Sequence, residues 1–143
     1  MAEPSVLIEL HSADRLVRTL VYEEMARRGL RPNLFAILVL IDLHEPVTPT
    51  DLALESGVRP TTLRDMIGEM VENGHIRRVE NDADRRSHFL EVTDEGRRFI
   101  SNAAAAMDAV EQRLSERLGE PLESLRPGLA SLRRVARAAL TET

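Results

Sequence analysis

Residues 48–92 leave a chain like this few folds to adopt. Val47-Thr48-Pro49-Thr50-Asp51-Leu52 reads as a helix start. Thr48 can cap the open N–H groups, and Pro49 suits the first helical position, where a missing N–H costs nothing. Asp51 can reach back to the cap's own N–H, and Val47 and Leu52 stand where an apolar staple closes across the cap. Leu52, Ala53, Gly57, Val58, Leu63 and Met66 then have the spacing of two short helices crossing at a tight turn. Ala53 is small where the helices touch, and Gly57 supplies the turn. Gly74-His75-Ile76 closes the second helix and opens an extended run over residues 76–79. A polar tip (residues 81–87) and a second extended run (residues 88–92) complete a hairpin. The pattern predicts a helix-turn-helix over about 48–73 and a two-stranded wing over about 75–92.

The flanks read as helices. Over residues 5–28, Leu10, Ala13, Leu16, Val17, Leu20, Val21 and Met25 recur at three- and four-residue steps, and Gly29 stops the run. Arg31-Pro32-Asn33 leads into residues 34–44, apolar nearly all round; such a helix is expected to be buried on every side, a strut beneath the helix-turn-helix. Glu45-Pro46 breaks it. Thr93-Asp94-Glu95 caps a long helix whose acidic first turn suits the positive end of the dipole. Its stripe, Ile100, Ala103, Met107, Val110, Leu114 and Leu118, has the near-heptad spacing of a seam between chains. Gly119-Glu120-Pro121 ends it, and a last helical stretch carries Leu122, Leu125, Leu129, Leu132, Val135 and Leu140, with a kink or fresh start expected at Pro127-Gly128. The expected fold is therefore mainly α with a small β-hairpin wing, a single domain over residues 1–143. Within it, residues 34–92 form the winged helix-turn-helix region. Residues 5–28 and 93–140 form a helical dimerisation region, because a second copy is the natural cover for those stripes.

Composition narrows the function. The 143 residues contain no cysteine, which excludes disulfides, thiolate chemistry and cysteine-based zinc sites and fits a reducing compartment. No apolar run approaches the roughly 20 residues of a membrane span, and no signal-peptide core is visible, so a cytoplasmic location and no membrane partner are expected. Arginine supplies all 19 positive charges, yet the net charge is -5, and residues 48–92 hold six arginines (59, 64, 77, 78, 85, 86) against nine acids. Nucleic-acid binding must then come from where the arginines stand rather than from a basic bulk. His11, His44, His75 and His88 lack metal-ligand spacing, so neither metal nor cofactor is expected. No Gly-rich phosphate loop and no nucleophile elbow is present, which leaves an enzymatic role without support.

Leu52-Ala53, Thr61-Thr62-Leu63-Arg64, Met70-Val71-Glu72-Asn73-Gly74, Arg78, Asp84-Arg85-Arg86 and the run from Leu90 to Gly96 resemble the MarR (multiple antibiotic resistance regulator) family of bacterial transcription factors. The layout matches over the whole chain, the specific motifs only between about 50 and 98. That family's wing carries two Asp-x-Arg units in tandem. Here the second is intact as Asp84-Arg85-Arg86, and the first is reduced to Asn81-Asp82-Ala83. The resemblance implies a homodimer that binds a pseudo-palindromic operator on double-stranded DNA, mostly as a repressor. It also implies release by a small phenolic or otherwise anionic effector.

On the second helix of the motif, Leu63, Met66, Ile67 and Met70 are expected to face the core, leaving Thr61, Thr62, Arg64 and Asp65 free to enter a major groove. Arg64 can bond guanine in bidentate fashion, the threonines suit phosphates or a thymine methyl, and Arg59 can reach a phosphate. At the wing tip Arg85 suits a narrow minor groove, while by resemblance Asp84 and Arg86 pair and shape the loop. Arg77 and Arg78 alternate along the first strand, so one faces DNA or solvent and the other the body; Arg77 is counted among the DNA-binding residues. By resemblance an effector sits between the reader and the dimer helices, with His11, Arg15, Tyr22 and His44 as candidates, a cation beside an aromatic suiting an anionic ring. The plain alternatives are a solvated helix face, a screened surface pair at the wing and ordinary interface residues. The rival function is a winged-helix protein-interaction module that no longer reads DNA, which the acidic balance favours.

Overall fold

The computed structural model describes residues 2–32 and 34–142, in two compact units, residues 1–106 and 107–143. Asn33, read above as part of a helix start, lies outside the described residues.

In the first unit α1 (Val6–Arg27) is capped by Ser5, whose hydroxyl accepts the Leu7 N–H. α2 (Phe35–His44) follows, then α3 (Pro49–Ser56) and α4 (Pro60–Glu72), the strands β1 (Ile76–Glu80) and β2 (His88–Val92), and the start of α5 (Asp94–Leu118). The start of α3 is built in part as its sequence predicts: Thr48 Oγ1 accepts the Asp51 N–H at 3.2 Å and Pro49 occupies the first turn, whereas among the described residues the Asp51 carboxylate does not return to the Thr48 N–H. Gly57 turns the chain towards α4 at φ +69°, a left-handed conformation that side chains with a Cβ rarely adopt. β1 and β2 pair antiparallel from Ile76↔Val92 to Glu80↔His88. Val47 exchanges backbone hydrogen bonds with Leu90, so the segment entering α3 is stitched to the wing.

One core holds this unit's reader together. Leu38 and Ile41 of α2, Leu52 of α3, Leu63, Ile67 and Met70 of α4, Ile76 of β1 and Leu90 and Val92 of β2 are all buried in it. A smaller cluster joins Met25 of α1 to Ala103 and Ala106 of α5, with Phe35 and Phe99 at its edge. The start of α5 is pinned to the wing's exit. Thr93 Oγ1 donates to the Gly74 carbonyl and accepts the Gly96 N–H at 3.0 Å. Gly96 has no room for a Cβ, which would collide with the His75 carbonyl oxygen and lie 2.8 Å from Val92 Cγ1. The Glu45 carboxylate accepts the Val92 N–H at 2.8 Å and the Arg97 guanidinium, which also approaches Asp42 of α2 at 3.5 Å.

Two expectations change here. α2 is buried on one face only: Leu34, Ile37, Leu38 and Ile41 are covered, whereas Leu43 is 70% exposed. Apolar composition states what a helix would tolerate on each side, not what arrives there. The α5 stripe is likewise spent in part at home, since Ile100 and Ala103 pack within the first unit rather than standing free as a seam.

In the second unit, α5 ends at Leu118, Gly119 leaves it at φ +75°, and a 3-10 turn (Leu122–Leu125) leads into α6 (Arg126–Thr141). The Leu122 N–H bonds Ser115 Oγ at 2.9 Å. α6 is the fresh start expected near Pro127, which sits in its first turn. None of its described residues is buried, and Leu129, Leu132 and Val135 stand exposed. Among the described residues no helix is long and apolar enough to cross a membrane.

Candidate functional site

α4 begins at Pro60 with Arg59 as its N-cap and no side-chain cap. Leu63, Ile67 and Met70 turn inward, which leaves Thr61, Thr62, Arg64 and Asp65 exposed on the opposite face. Beside that face lies a hollow of about 740 Å³. α3 and the turn after it supply an apolar floor of Pro49, Ala53, Leu54, Gly57 and Val58, and Arg59, Arg64 and Arg78 stand around it. No acid lines it.

β1 divides its two arginines by strand alternation. Arg77 shares a face with Glu91, its register partner, and donates to Glu91 Oε2 from Nε at 3.2 Å and from Nη2 at 2.8 Å. That carboxylate raises the Arg77 pKa above its ordinary value. Arg78 stands opposite buried Leu90, on the face it shares with Ile76, and reaches the α3–α4 hollow. Arg77, counted above as a DNA-binding residue, is thus engaged within the wing, and Arg78 takes the place beside Arg59 and Arg64. The signal was present in the sequence: if Ile76 is the core residue of β1, period two puts residue 78 on the same side.

The wing tip is two consecutive turns of the same kind. Asn81 Oδ1 accepts the Ala83 N–H at 3.1 Å and the Asn81 carbonyl accepts the Asp84 N–H at 3.1 Å. Asp84 Oδ1 then accepts the Arg86 N–H at 3.0 Å and the Asp84 carbonyl accepts the Ser87 N–H at 3.1 Å. Asp84 therefore shapes the loop through the backbone of Arg86, not by pairing with its guanidinium as the resemblance implied. A short acceptor side chain captures the N–H two residues on before a long arginine can compete. Arg85 and Arg86 are exposed, and their guanidiniums bond no side chain among the described residues.

His11, Arg15 and Tyr22 lie on one stripe of α1, all exposed. His44, at the end of α2, is 3.7 Å from Glu55. None of these four lines the hollow beside α4, nor the one of about 470 Å³ at the wing tip formed by Glu80, Asn81, Asp82, Arg85, Ser87 and His88. Among the described residues no group of histidines and carboxylates is arranged to hold a metal ion.

Residues 30–88, from just before α2 to the first residue of β2, match the MarR family model. The chain carries a MarR-family domain. The transcriptional repressor MprA of Escherichia coli K12 is 29% identical over 75 residues, 51% of this chain and 43% of that protein, so the match spans less than half of this curated relative. Among solved structures, the repressor CouR bound to a 23-mer DNA duplex is 27% identical, with 92% of each chain covered and a TM-score of 0.77. CouR from Rhodococcus jostii RHA1 bound to p-coumaroyl-CoA superposes with a TM-score of 0.75 at the same identity and coverage. A mutant of Escherichia coli MarR complexed with operator DNA is 19% identical, covering 88% of this chain and 89% of that one with a TM-score of 0.73, and supports the fold alone. The mainly helical winged helix-turn-helix of these MarR-family regulators is the fold of this chain.

Proposed function

We propose that this protein is a sequence-specific DNA-binding transcriptional regulator of the MarR type, a repressor released by a small anionic ligand and active as a homodimer in the cytoplasm. The observation that carries the reading is the hollow beside α4: in a chain of net charge -5, it gathers three arginines and no acid next to an exposed helix face. In this reading α4 enters the major groove, where Arg64 bonds guanine, Thr61 and Thr62 meet phosphate or a thymine methyl, Asp65 accepts from a cytosine amino group, and Arg59 meets the backbone. The wing lies along the duplex, and Arg85 and Arg86 supply its cations to the minor groove. The exposed leucines of α6 and, separately, the exposed apolar residues of α1 suit burial against a second copy. A second copy would complete a two-fold reader for a pseudo-palindromic operator. CouR's ligand is an anionic thioester, so an anionic aromatic effector is in keeping; His11, Arg15, Tyr22 and His44 remain its proposed contacts, brought together only in the assembled dimer.

The rival reading, a winged-helix module for protein partners, draws on the nine acids against six arginines in residues 48–92. Fluorescence anisotropy against a duplex selected from random sequence, titrated with salt beside an unselected duplex, separates the two. A regulator binds the selected duplex more tightly and loses affinity steeply with salt, because each neutralised phosphate releases counterions. Weak binding of both duplexes without salt dependence would favour the protein-interaction module.

A further inference from the structure

We propose that Arg78, and not its neighbour Arg77, is the DNA contact of the first wing strand, and that it grips a backbone phosphate from the hollow it shares with Arg59 and Arg64. The inference rests on the DNA-binding reading above and deepens it. Three observations point the same way. First, strand register puts Arg78 opposite buried Leu90, on the side of the helix-turn-helix, and Arg77 opposite Glu91 on the other side. Second, the Arg77 guanidinium is already held by two hydrogen bonds to the Glu91 carboxylate, whereas that of Arg78 has no partner among the described residues. Third, Arg78 lines one hollow with Arg59 and Arg64, three arginines drawn from β1, the α3–α4 turn and α4 beside an apolar floor, with no carboxylate among the lining residues.

Arginines that line one hollow with no carboxylate among its lining residues favour an anion there. Over an apolar floor the exchange of water for phosphate oxygen is favourable for a guanidinium, which is only weakly hydrated. On a duplex, the anion nearest an arginine that flanks the groove-entering helix is the phosphate backbone. Such contacts fix register without reading sequence. Arg78 would therefore set how the α4 face is seated, and Arg64 what that face reads.

The test is a salt titration of DNA binding with the full-length chain, on a selected duplex and an unselected one of equal length. The variants are Arg78→Gln, Arg78→Lys and the charge-neutral double change Arg77→Gln with Glu91→Gln. Arg78→Gln should flatten the plot of log affinity against log salt by about one unit per protomer, and lower affinity for both duplexes roughly tenfold per protomer near 0.1 M salt. Arg78→Lys should keep the wild-type slope, since a phosphate accepts a point charge. The double variant should keep it too. A wild-type slope in Arg78→Gln overturns the inference while leaving the DNA-binding reading intact, and so does an equal loss in the double variant. If Arg78→Lys behaves as Arg78→Gln on the selected duplex alone, the contact is a bidentate base reading and the phosphate assignment falls. Wild-type protein that shows no salt-dependent binding at all overturns the DNA-binding reading, and this inference with it.

Discussion

α4 and α6 carry nearly the same pattern and meet opposite fates. Both are amphipathic, both place a proline in the first turn, and both space their apolar residues three and four apart. α4 sinks Leu63, Ile67 and Met70 into the core between α2, α3 and the wing. α6 leaves Leu129, Leu132 and Val135 in the open. The difference lies in what surrounds each helix. α4 is held between short turns, Gly57 before it and Gly74 after it, which bring neighbours onto its stripe from both ends. α6 follows the 3-10 turn of the second unit, and no described residue buries its stripe. An amphipathic pattern therefore announces that a face needs cover and is silent on whose.

That contrast can be broken by substitution. Leu63→Ala should cost about 2–5 kcal/mol of unfolding free energy, seen as a lower urea midpoint, because it leaves a cavity in close-packed surroundings. Leu132→Glu should leave the melting of an isolated protomer almost unchanged but shift sedimentation from dimer to monomer, and it should remove the concentration dependence of the melting temperature. A Leu132→Glu protein that is still dimeric at micromolar concentration would place the interface elsewhere than α6.

The exposed side of α4 sharpens the same comparison. Arg64→Ala should reduce discrimination between selected and unselected duplexes by about 1–3 kcal/mol, while its non-specific binding barely moves. Equal loss on both duplexes would mean that Arg64 meets phosphate rather than a base. The wing offers the smallest effect and a gain. Its two turns have the same hydrogen bonds, so Ala83 occupies in the first turn the place of Arg86 in the second. Ala83→Arg should seat a cation there without refolding the loop, steepening the salt dependence by about one unit per protomer. An unchanged slope would show that the first turn lies away from the duplex.

Much of the reader was legible in the sequence because its signals are local. A threonine cap followed by proline, a glycine with positive φ and a polar tip between two extended runs each act within a few residues. Residues 48–92 accordingly fold as expected, including the division of α4 into a core face and an exposed face. The motifs that resemble the MarR family lie in nearly the same stretch and run on to Gly96 at the start of α5.

What only the tertiary structure decided is which face of β1 is buried, and so which of two equivalent neighbours is left without a partner among the described residues. Arg77 and Arg78 are the same residue type side by side, and pairing with Glu91 some fourteen positions away assigns one to the wing and leaves the other to the hollow. The exposure of Leu43 and the packing of Ile100 and Ala103 at home belong to the same class. The physical reason is common to all of them. Capping, turns and periodicity depend on the chain's own neighbours, whereas burial and charge pairing depend on what long-range folding brings within a few ångströms.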